Sequence, residues 1–350
     1  MNGKEEKIGL IYHADYLIHT QGQHPERKER LEHIMAALED NNLFERVVLK
    51  EPAPAEIDDV TLVHDPDYIK LLDEVCRSGR NFLDMDTYIV PESYRIALLS
   101  AGGVLTGLRM VMEGDVRKAF ALNRPPGHHA ERGRAMGFCL MNNIAITAEV
   151  AKRDYGLKRI VIMDWDVHHG NGTQHIFEKD NEVLFISTHQ NPAYPGTGSM
   201  EEVGKDLGEG FTVNIPLPTG SGDEDYKLFF DHLIIPVIGR FEPEIILISA
   251  GQDAYRYDPL AGMGLTYQGY YNMALALSDA AEHHCGGKLV LCLEGGYHLT
   301  GQAGAVVQVL NALGNWGLPI GEQSPGLEPN RFVLQRLQEI LEIQKRYWDI

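Results

Sequence analysis

The chain has 350 residues, 44% hydrophobic and 23% charged, so it can bury a core and is neither disordered nor collagen-like. A net charge of −19 argues against binding a nucleic-acid backbone and favours a cationic substrate or partner. The four cysteines form no C-x-x-C pair, the N-terminus lacks the apolar core of a signal peptide, and no run of about 18 apolar residues stands out. We therefore expect a cytoplasmic protein that contacts no membrane and forms one domain over residues 1–350.

Short apolar runs alternate with amphipathic stretches along the chain. Runs without polar alternation are typical of strands buried on both faces of a parallel sheet. We predict strands at Lys7–Tyr12, Val116–Leu122, Arg159–Met163, Val183–Ser187, Phe211–Ile215, Glu244–Ser249 and Lys288–Leu293. We predict helices at Glu26–Asp40, Glu92–Met112, Met141–Tyr155, Asp223–Arg240, Tyr267–His284, Gly301–Leu313 and Arg331–Tyr347, with a surface connection at Gly314–Pro329 before the last one. The alternation predicts an α/β fold whose mostly parallel central sheet is flanked by helices.

Polar residues follow four of these strands directly. In chain order they are His128 and His129 in RPPGHHA, Asp164, Asp166, His168 and Asn171 in DWDVHHGNG, Asp253 in AGQDA, and Tyr297 in EGGYH. In open α/β sheets the ligand site lies beyond the carboxyl ends of the strands. We therefore expect the four segments to converge at one edge of the sheet.

Two carboxylates and an imidazole in these segments form a candidate metal site. Asp166 and His168 alternate at a strand end, so their side chains point to the same side, and Asp253 could supply a third ligand. Such a set leaves an open position for water on a tetrahedral Zn²⁺, as in catalytic sites. Taken alone, the local motif is explained as well by Asp164 and Asp166 capping the next helix, but the other three segments count against that.

The tandem histidines suit general acid–base catalysis, which needs a group whose pKa lies near the operating pH. Asp164 and Asn171 are the candidate orienting partners: the anion would favour an imidazolium, and the amide would leave the other ring nearer neutral. Tyr297 could donate a hydrogen bond to an oxyanion, although an isolated tyrosine is more often a core residue. Together the residues indicate metal-assisted hydrolysis of a carbonyl compound.

The motifs RPPGHHA, DWDVHHGNG, PGTGS, AGQDA and LEGGY, in this order, resemble the zinc-dependent histone deacetylase family. Asn171 makes the chain similar to the class II and bacterial members, the histone deacetylase-like amidohydrolases. The resemblance extends from HPERKERL to LEGGYHLT and implies a single deacetylase domain with an arginase/deacetylase-like fold. It also implies removal of acetyl or related acyl groups from lysine side chains in peptides or proteins.

The resemblance implies a role for each matching residue. Asp166, His168 and Asp253 would bind one Zn²⁺, and His129 would be the principal general base. His128, paired with Asp164, would be an electrostatic partner or proton donor, and Tyr297 would polarise the scissile carbonyl.

The resemblance further implies a potassium ion near the zinc. The main-chain carbonyls of Asp164, Asp166 and His168 would hold this ion together with the Ser187 hydroxyl.

An acyl-lysine channel is the last feature that the resemblance implies. Phe138 and Tyr194 would be its walls, the second commonly Phe in relatives, and Gly137 would line it with a carbonyl.

Asp84 and Asp86 match a rim loop only loosely, so solvated carboxylates are an equal interpretation there. Gln252 stands where many relatives have Phe or Ala. The zinc ligand Asp253 is unaffected, but the side chains that surround it are not predicted by the resemblance. Leu260 stands where the acetylpolyamine-specific branch has a glutamate, so we expect acyl-lysine peptides to be preferred over small acylated amines.

Four other functions remain as alternatives. A related acetylpolyamine deacetylase has the same core motifs. An arginase-like binuclear ureohydrolase needs further carboxylates, but Gly170 and Ala254 stand near the ligands instead. An inactive acyl-lysine-binding module would lack a ligand, a tandem histidine or Tyr297, and none is lost. The sequence does not distinguish a role in acetate or acetoin metabolism from general protein deacetylation. It does not indicate the oligomeric state either.

Overall fold

The computed structural model describes residues 5–324, 326 and 328–350. Within these residues eight strands form one sheet, and every neighbouring pair is parallel. In chain order the strands are β1 (Ile8–Ile11), β2 (Val47–Lys50), β3 (Lys118–Ala121), β4 (Ile160–Asp164), β5 (Val183–Gln190), β6 (Thr212–Leu217), β7 (Ile245–Ala250) and β8 (Leu289–Leu293). Across the sheet their order is β2-β1-β3-β8-β7-β4-β5-β6.

Helices connect the strands and cover both faces of the sheet. In the described part of the chain they are α1 (Glu29–Asp40), α2 (Ile57–Val60), α3 (Pro66–Arg77), α4 (Ser93–Met112), α5 (Asn143–Tyr155), α6 (Asn171–Phe177), α7 (Asp223–Phe229), α8 (Ile235–Phe241), α9 (Tyr267–Cys285), α10 (Leu299–Gly314) and α11 (Arg331–Gln344). Parallel strands need such crossovers, because a tight hairpin can join only antiparallel neighbours.

The core consists of two apolar clusters, one on each face of the sheet. One contains the buried residues of α1 and α7 to α11, and the other is built mainly from α3, α4 and α5. Strands β3, β4, β7 and β8 are buried along their whole length. The edge strand β6 is buried in the same way, so continuous apolar runs mark buried strands, as a sheet covered on both faces requires.

The predicted fold class is confirmed, and each of the seven predicted strands has a counterpart in the sheet. Strand β2 was not predicted, because it is short and exposes its last two residues. Helices α2, α3 and α6 were also not predicted. The helix predicted at Asp223–Arg240 is present without a break, and a π-helical turn at Phe230–Ile234 joins α7 to α8 within it. In the predicted connection Gly314–Pro329, Pro325 and Leu327 lie outside the described residues.

One helix, α4, is long and apolar enough to cross a membrane by length and composition. The expectation that no such stretch exists is therefore wrong. The helix carries 14 buried residues and belongs to the core cluster beside β3 and α5. Burial inside the fold accounts for its composition.

Candidate active site

The four polar segments follow four strands that are neighbours in the sheet, in the order β3-β8-β7-β4. The histidine pair follows β3, the EGGY segment follows β8, Asp253 follows β7, and Asp166 and His168 follow β4. Parallel strands present all their carboxyl ends at one edge, so residues up to 169 positions apart meet there. The structure thus brings together the segments that the sequence singled out.

Asp166, His168 and Asp253 each place a potential ligand atom within 4.8 Å of the other two. Nδ1 of His168 lies 3.2 Å from Oδ1 of Asp166 and 3.1 Å from Oδ2 of Asp253. Burial lowers the pKa of His168, but the hydrogen bonds with the two carboxylates outweigh it and raise the pKa to about 10. The cluster therefore has the negative charge that a buried dication would balance.

The remaining carboxylate oxygens of this cluster are held by backbone amides. The Gly295 amide donates to Oδ2 of Asp166 over 2.8 Å, and the Val167 amide donates to Oδ1 of Asp253 over 2.9 Å. A Cβ on Gly295 would lie 2.2 Å from Oδ2 of Asp253, so only glycine lets the backbone approach so closely. One oxygen of each carboxylate is thereby left facing the imidazole. Two oxygens and one nitrogen in this arrangement fit a Zn²⁺ ion with an open coordination position.

The two tandem histidines have different partners. Nδ1 of His128 lies 2.9 Å from Oδ2 of Asp164, whereas Nδ1 of His129 lies 2.8 Å from Oδ1 of Asn171. Nδ2 of Asn171 donates to Glu131 over 2.6 Å, which makes Oδ1 the acceptor of the Nδ1–H of His129. The Nε2 atom of His129 is thus left free to accept a proton.

The environments of His128 and His129 also push the pKa values of the two imidazole rings apart. Burial lowers the pKa of His128, but the charges of Asp164, Asp166 and Glu294 outweigh it and raise the pKa well above the ordinary value. Burial lowers the pKa of His129, and the neighbouring His128 lowers it further. A pair of titratable groups whose pKa values are pushed apart is the pattern that assigns one acid and one base.

A channel of about 230 Å³ opens above these groups. Its lining residues are Asp86, His129, Gly137, Phe138, His168, Tyr194, Leu260 and Tyr297. The Phe138 ring stands at 88° to the Tyr297 ring with centroids 5.8 Å apart, and the Tyr194 ring stands at 87° to His129 at 5.1 Å. All four residues that the sequence suggested for the channel lie along it.

Tyr297 is held at the channel by its backbone and by its ring face. Its amide donates to Oδ2 of Asp258 over 2.6 Å, and the Arg30 guanidinium lies 5.1 Å from the ring centroid. Burial raises the pKa of the phenol well above its ordinary value, so the hydroxyl keeps its proton as a donor.

The remaining predicted residues lie near this site or at its rim. Asp164 and Ser187 face each other on the adjacent strands β4 and β5, and the Ser187 hydroxyl lies 2.9 Å from Nδ1 of His189. Asp86 lines the channel, whereas Asp84 is exposed and accepts hydrogen bonds from the Asp86 and Thr87 amides. Gln252 is buried and donates to the Ala250 carbonyl.

Comparison with known proteins identifies the family of this chain. The model of the histone deacetylase domain matches residues 24–313. The chain belongs to the histone deacetylase family. A "Probable deacetylase" of Archaeoglobus fulgidus is 47% identical over 296 residues, covering 84% of this chain and 82% of that protein. A "Histone deacetylase-like amidohydrolase" of Pseudomonas aeruginosa is 41% identical over 274 residues, covering 78% and 71%. The crystal structure of the HDA15 HD domain superimposes with a TM-score of 0.89 at 37% identity, covering 98% of this chain and 95% of that domain.

This histone deacetylase-family chain also contains a buried charge cluster that the sequence reasoning missed. Glu26, Arg30 and Arg124 are fully buried, and Nη2 of Arg124 donates to Oε2 of Glu26 over 2.7 Å. Nε of Arg30 donates to the Gly296 carbonyl over 2.7 Å, so the cluster reaches the residue next to Tyr297. Three charged residues in HPERKERL and NRPPG were visible, but nothing in a single sequence indicates that they are buried.

Proposed function

We propose that the chain is a zinc-dependent hydrolase that removes acetyl or related acyl groups from the ε-amino group of lysine in peptides or proteins. The proposal rests above all on one observation: the channel reaches the metal cluster through His168 and the histidine pair through His129. We call these five residues, His128, His129, Asp166, His168 and Asp253, the channel floor. Membership of a family of deacetylases and amidohydrolases supports a hydrolase acting on acylated amides.

Asp166, His168 and Asp253 would hold a single Zn²⁺, which when bound lowers the pKa of water towards neutrality and polarises a carbonyl. His129 then takes the proton of the attacking water on Nε2, because its Nδ1–H is committed to Asn171. His128, kept protonated beside Asp164, stabilises negative charge and supplies the proton that the leaving amine needs.

Tyr297 acts at the carbonyl oxygen. Its hydroxyl donates a hydrogen bond that strengthens as negative charge develops on that oxygen in the transition state. The raised pKa keeps the hydroxyl protonated at neutral pH. The anchored amide and ring allow the phenol to hold one orientation while the substrate reacts.

The channel walls suit the lysine side chain. Phe138 and Tyr194 would enclose its methylene groups, and the Gly137 carbonyl would accept from the amide nitrogen. Leu260 adds an apolar side chain where a small acylated polyamine would need a carboxylate, so we propose that acyl-lysine peptides are the better substrates.

Two further assignments accompany this function. A K⁺ ion would bind the main-chain carbonyls of Asp164, Asp166 and His168 with the Ser187 hydroxyl, beside the catalytic cluster. The cytoplasmic location stays a prediction from composition.

The test is turnover of three substrates by metal-stripped and zinc-reconstituted protein. These are an acetyl-lysine peptide, an acetylpolyamine and a longer-chain acyl-lysine peptide. We expect about one Zn²⁺ per chain, hydrolysis only by the reconstituted protein, and a preference for a peptide. Full activity after metal removal would overturn the metal dependence, and a preference for the polyamine would reassign the substrate class.

A further inference from the structure

Glu294 is a fully buried carboxylate beside the channel floor to which the mechanism above gives no role. It follows the last residue of β8 and precedes the Gly295-Gly296-Tyr297 segment. Three other carboxylates, Asp164, Asp166 and Asp253, are buried in the same region. Adding a fourth costs free energy unless specific hydrogen bonds hold it.

The side chain of Glu294 reaches across to the turn that carries the histidine pair. Its Oε2 accepts the Gly127 amide over 2.6 Å and the His128 amide over 3.2 Å. Its Oε1 accepts the thiol of Cys292 over 3.3 Å. One carboxylate oxygen therefore holds two consecutive amides at the base of the histidine turn.

The main chain of Glu294 is held from the opposite side. Nη2 of Arg30 donates to the Glu294 carbonyl, and Nε of the same guanidinium donates to the Gly296 carbonyl over 2.7 Å. Residues 294–296 are thus anchored by Arg30, while the carboxylate of Glu294 extends to the histidine turn. Tyr297 directly follows this anchored segment.

Glu294, Cys139 and His128 also place potential ligand atoms within 4.8 Å of one another. A metal ion there would compete with the amides for the Glu294 carboxylate and with Asp164 for His128. Oε2 of Glu294 and Nδ1 of His128 already have these partners, and the Cys139 thiol donates to the Gly137 carbonyl over 3.3 Å, so the geometry favours a bracing contact over a second metal site.

We propose that Glu294 is a positioning residue whose carboxylate, by binding the Gly127 and His128 amides, sets the separation between the histidine pair and Tyr297. This inference rests on the proposed function, because the reaction requires base and hydrogen-bond donor at matched distances from one carbonyl. A displacement of about 1 Å can lower a rate about a hundredfold.

The variants Glu294→Leu, Glu294→Gln and Glu294→Asp test the proposal. Leucine removes the acceptor, so we expect kcat per zinc-loaded molecule to fall about a hundredfold while KM changes less than about threefold, because Glu294 does not line the channel. Glutamine keeps an acceptor at the same reach, and we expect it to retain kcat within about tenfold. Aspartate keeps the charge but is one methylene shorter, so we expect it to be worse than glutamine.

Cys292→Ala is the matched control, because it removes the other side-chain contact of Glu294 and leaves the two amides bound. We expect its kcat to stay within about threefold of wild type. A normal kcat in zinc-loaded Glu294→Leu, or a better rate with aspartate than with glutamine, would overturn the positioning role. The first result would indicate a purely structural residue and the second a purely electrostatic one.

A crystal structure of Glu294→Gln and of Glu294→Asp gives a readout that does not depend on turnover. We expect the turn at residues 127–129 to keep its distance from Tyr297 in the first variant and to shift by roughly 1 Å in the second. An unshifted turn in Glu294→Asp overturns the proposal. A wild-type protein that hydrolyses no acylated amine would instead overturn the proposed function, and the two failures are distinguishable.

Discussion

The floor of the channel and its mouth differ in how many contacts hold each side chain. Asp166 and Asp253 on the floor are fully buried, and each has both carboxylate oxygens within hydrogen-bond distance of a partner. At the mouth, which we define as Asp86, Tyr194 and Leu260, exposed fractions are 39% at Tyr194 and 41% at Leu260. Side chains on the floor have one arrangement open to them, whereas those at the mouth can change without disturbing the fold. Under the proposed function, we therefore expect changes on the floor to affect the reaction itself and changes at the mouth to affect the choice of substrate.

The largest effect is expected from removing a ligand on the floor. Asp253→Ala should lose bound zinc and reduce hydrolysis to background, because the two remaining groups cannot hold the ion in a catalytic geometry. Metal content and turnover are measured on the same preparation.

Asp67→Ala is the control for this variant, since its side chain is 98% exposed on α3. It should keep one zinc and full activity. Full zinc occupancy with normal turnover in Asp253→Ala would show that the ligand assignment is wrong.

A smaller loss is expected when the floor keeps its metal but loses its base. His129→Ala should lower kcat at least about a hundredfold with zinc still bound, because a positioned general base contributes roughly 10² to 10⁴. Zinc analysis and steady-state kinetics on an acetyl-lysine peptide measure both quantities.

Asn171→Ala provides the comparison for His129→Ala, because it leaves the imidazole in place and removes its orienting acceptor. We expect a loss smaller than that of His129→Ala. If His129→Ala retains a near-normal kcat, another group takes the proton.

We expect the fold to be sensitive to acid, because a buried histidine, His64, contacts the segment that holds the histidine pair. His64 is buried, its Nε2 accepts the Asn142 amide over 2.9 Å, and Nδ2 of Asn142 donates to Ala130 beside the histidine pair. Burial lowers the pKa of His64 to about 4. The unfolded chain, with a pKa near 6.5, therefore binds the proton first, and stability is lost as the pH falls from about 6.5 to about 4.

Between pH 7.5 and pH 5 this histidine should account for about 2 kcal/mol of lost unfolding free energy. We expect His64→Gln to lose correspondingly less over that interval in urea unfolding. His33→Gln, at an exposed position on α1, should follow the wild-type pH dependence. Parallel curves for wild type and His64→Gln would contradict the assignment of acid sensitivity to this residue.

Features of the floor could be predicted from a single sequence more readily than other parts of the structure. Residues such as Asp166 and Tyr297 follow apolar runs that mark central strands, so their position at one edge of the sheet could be predicted. Strand β2 and the π-helical turn at Phe230–Ile234 could not, because one is half exposed and the other follows no apolar period. Glu294 was visible in LEGGY, but its partners at positions 127 and 128 are 166 residues or more away. Pairing across that distance leaves no local pattern.

Among the predicted effects on hydrolysis, the smallest is expected at the mouth and concerns the choice of substrate. Leu260 lines the channel with 41% of its surface exposed, and its amide is tied to Asp258, which also holds the Tyr297 amide. Leu260→Glu would place a carboxylate at the mouth without altering the floor. A charge-assisted hydrogen bond is worth about 1.5–3 kcal/mol, so the ratio of kcat/KM for acetylpolyamine over acetyl-lysine peptide should rise roughly ten- to a hundredfold.

Leu207→Glu, at a 74% exposed site before β6, adds the same charge elsewhere and should leave the ratio unchanged. An unchanged ratio in Leu260→Glu, or a wild-type preference for the polyamine, would move the selectivity to another residue of the mouth, with Asp86 the first to examine because it already lines the channel.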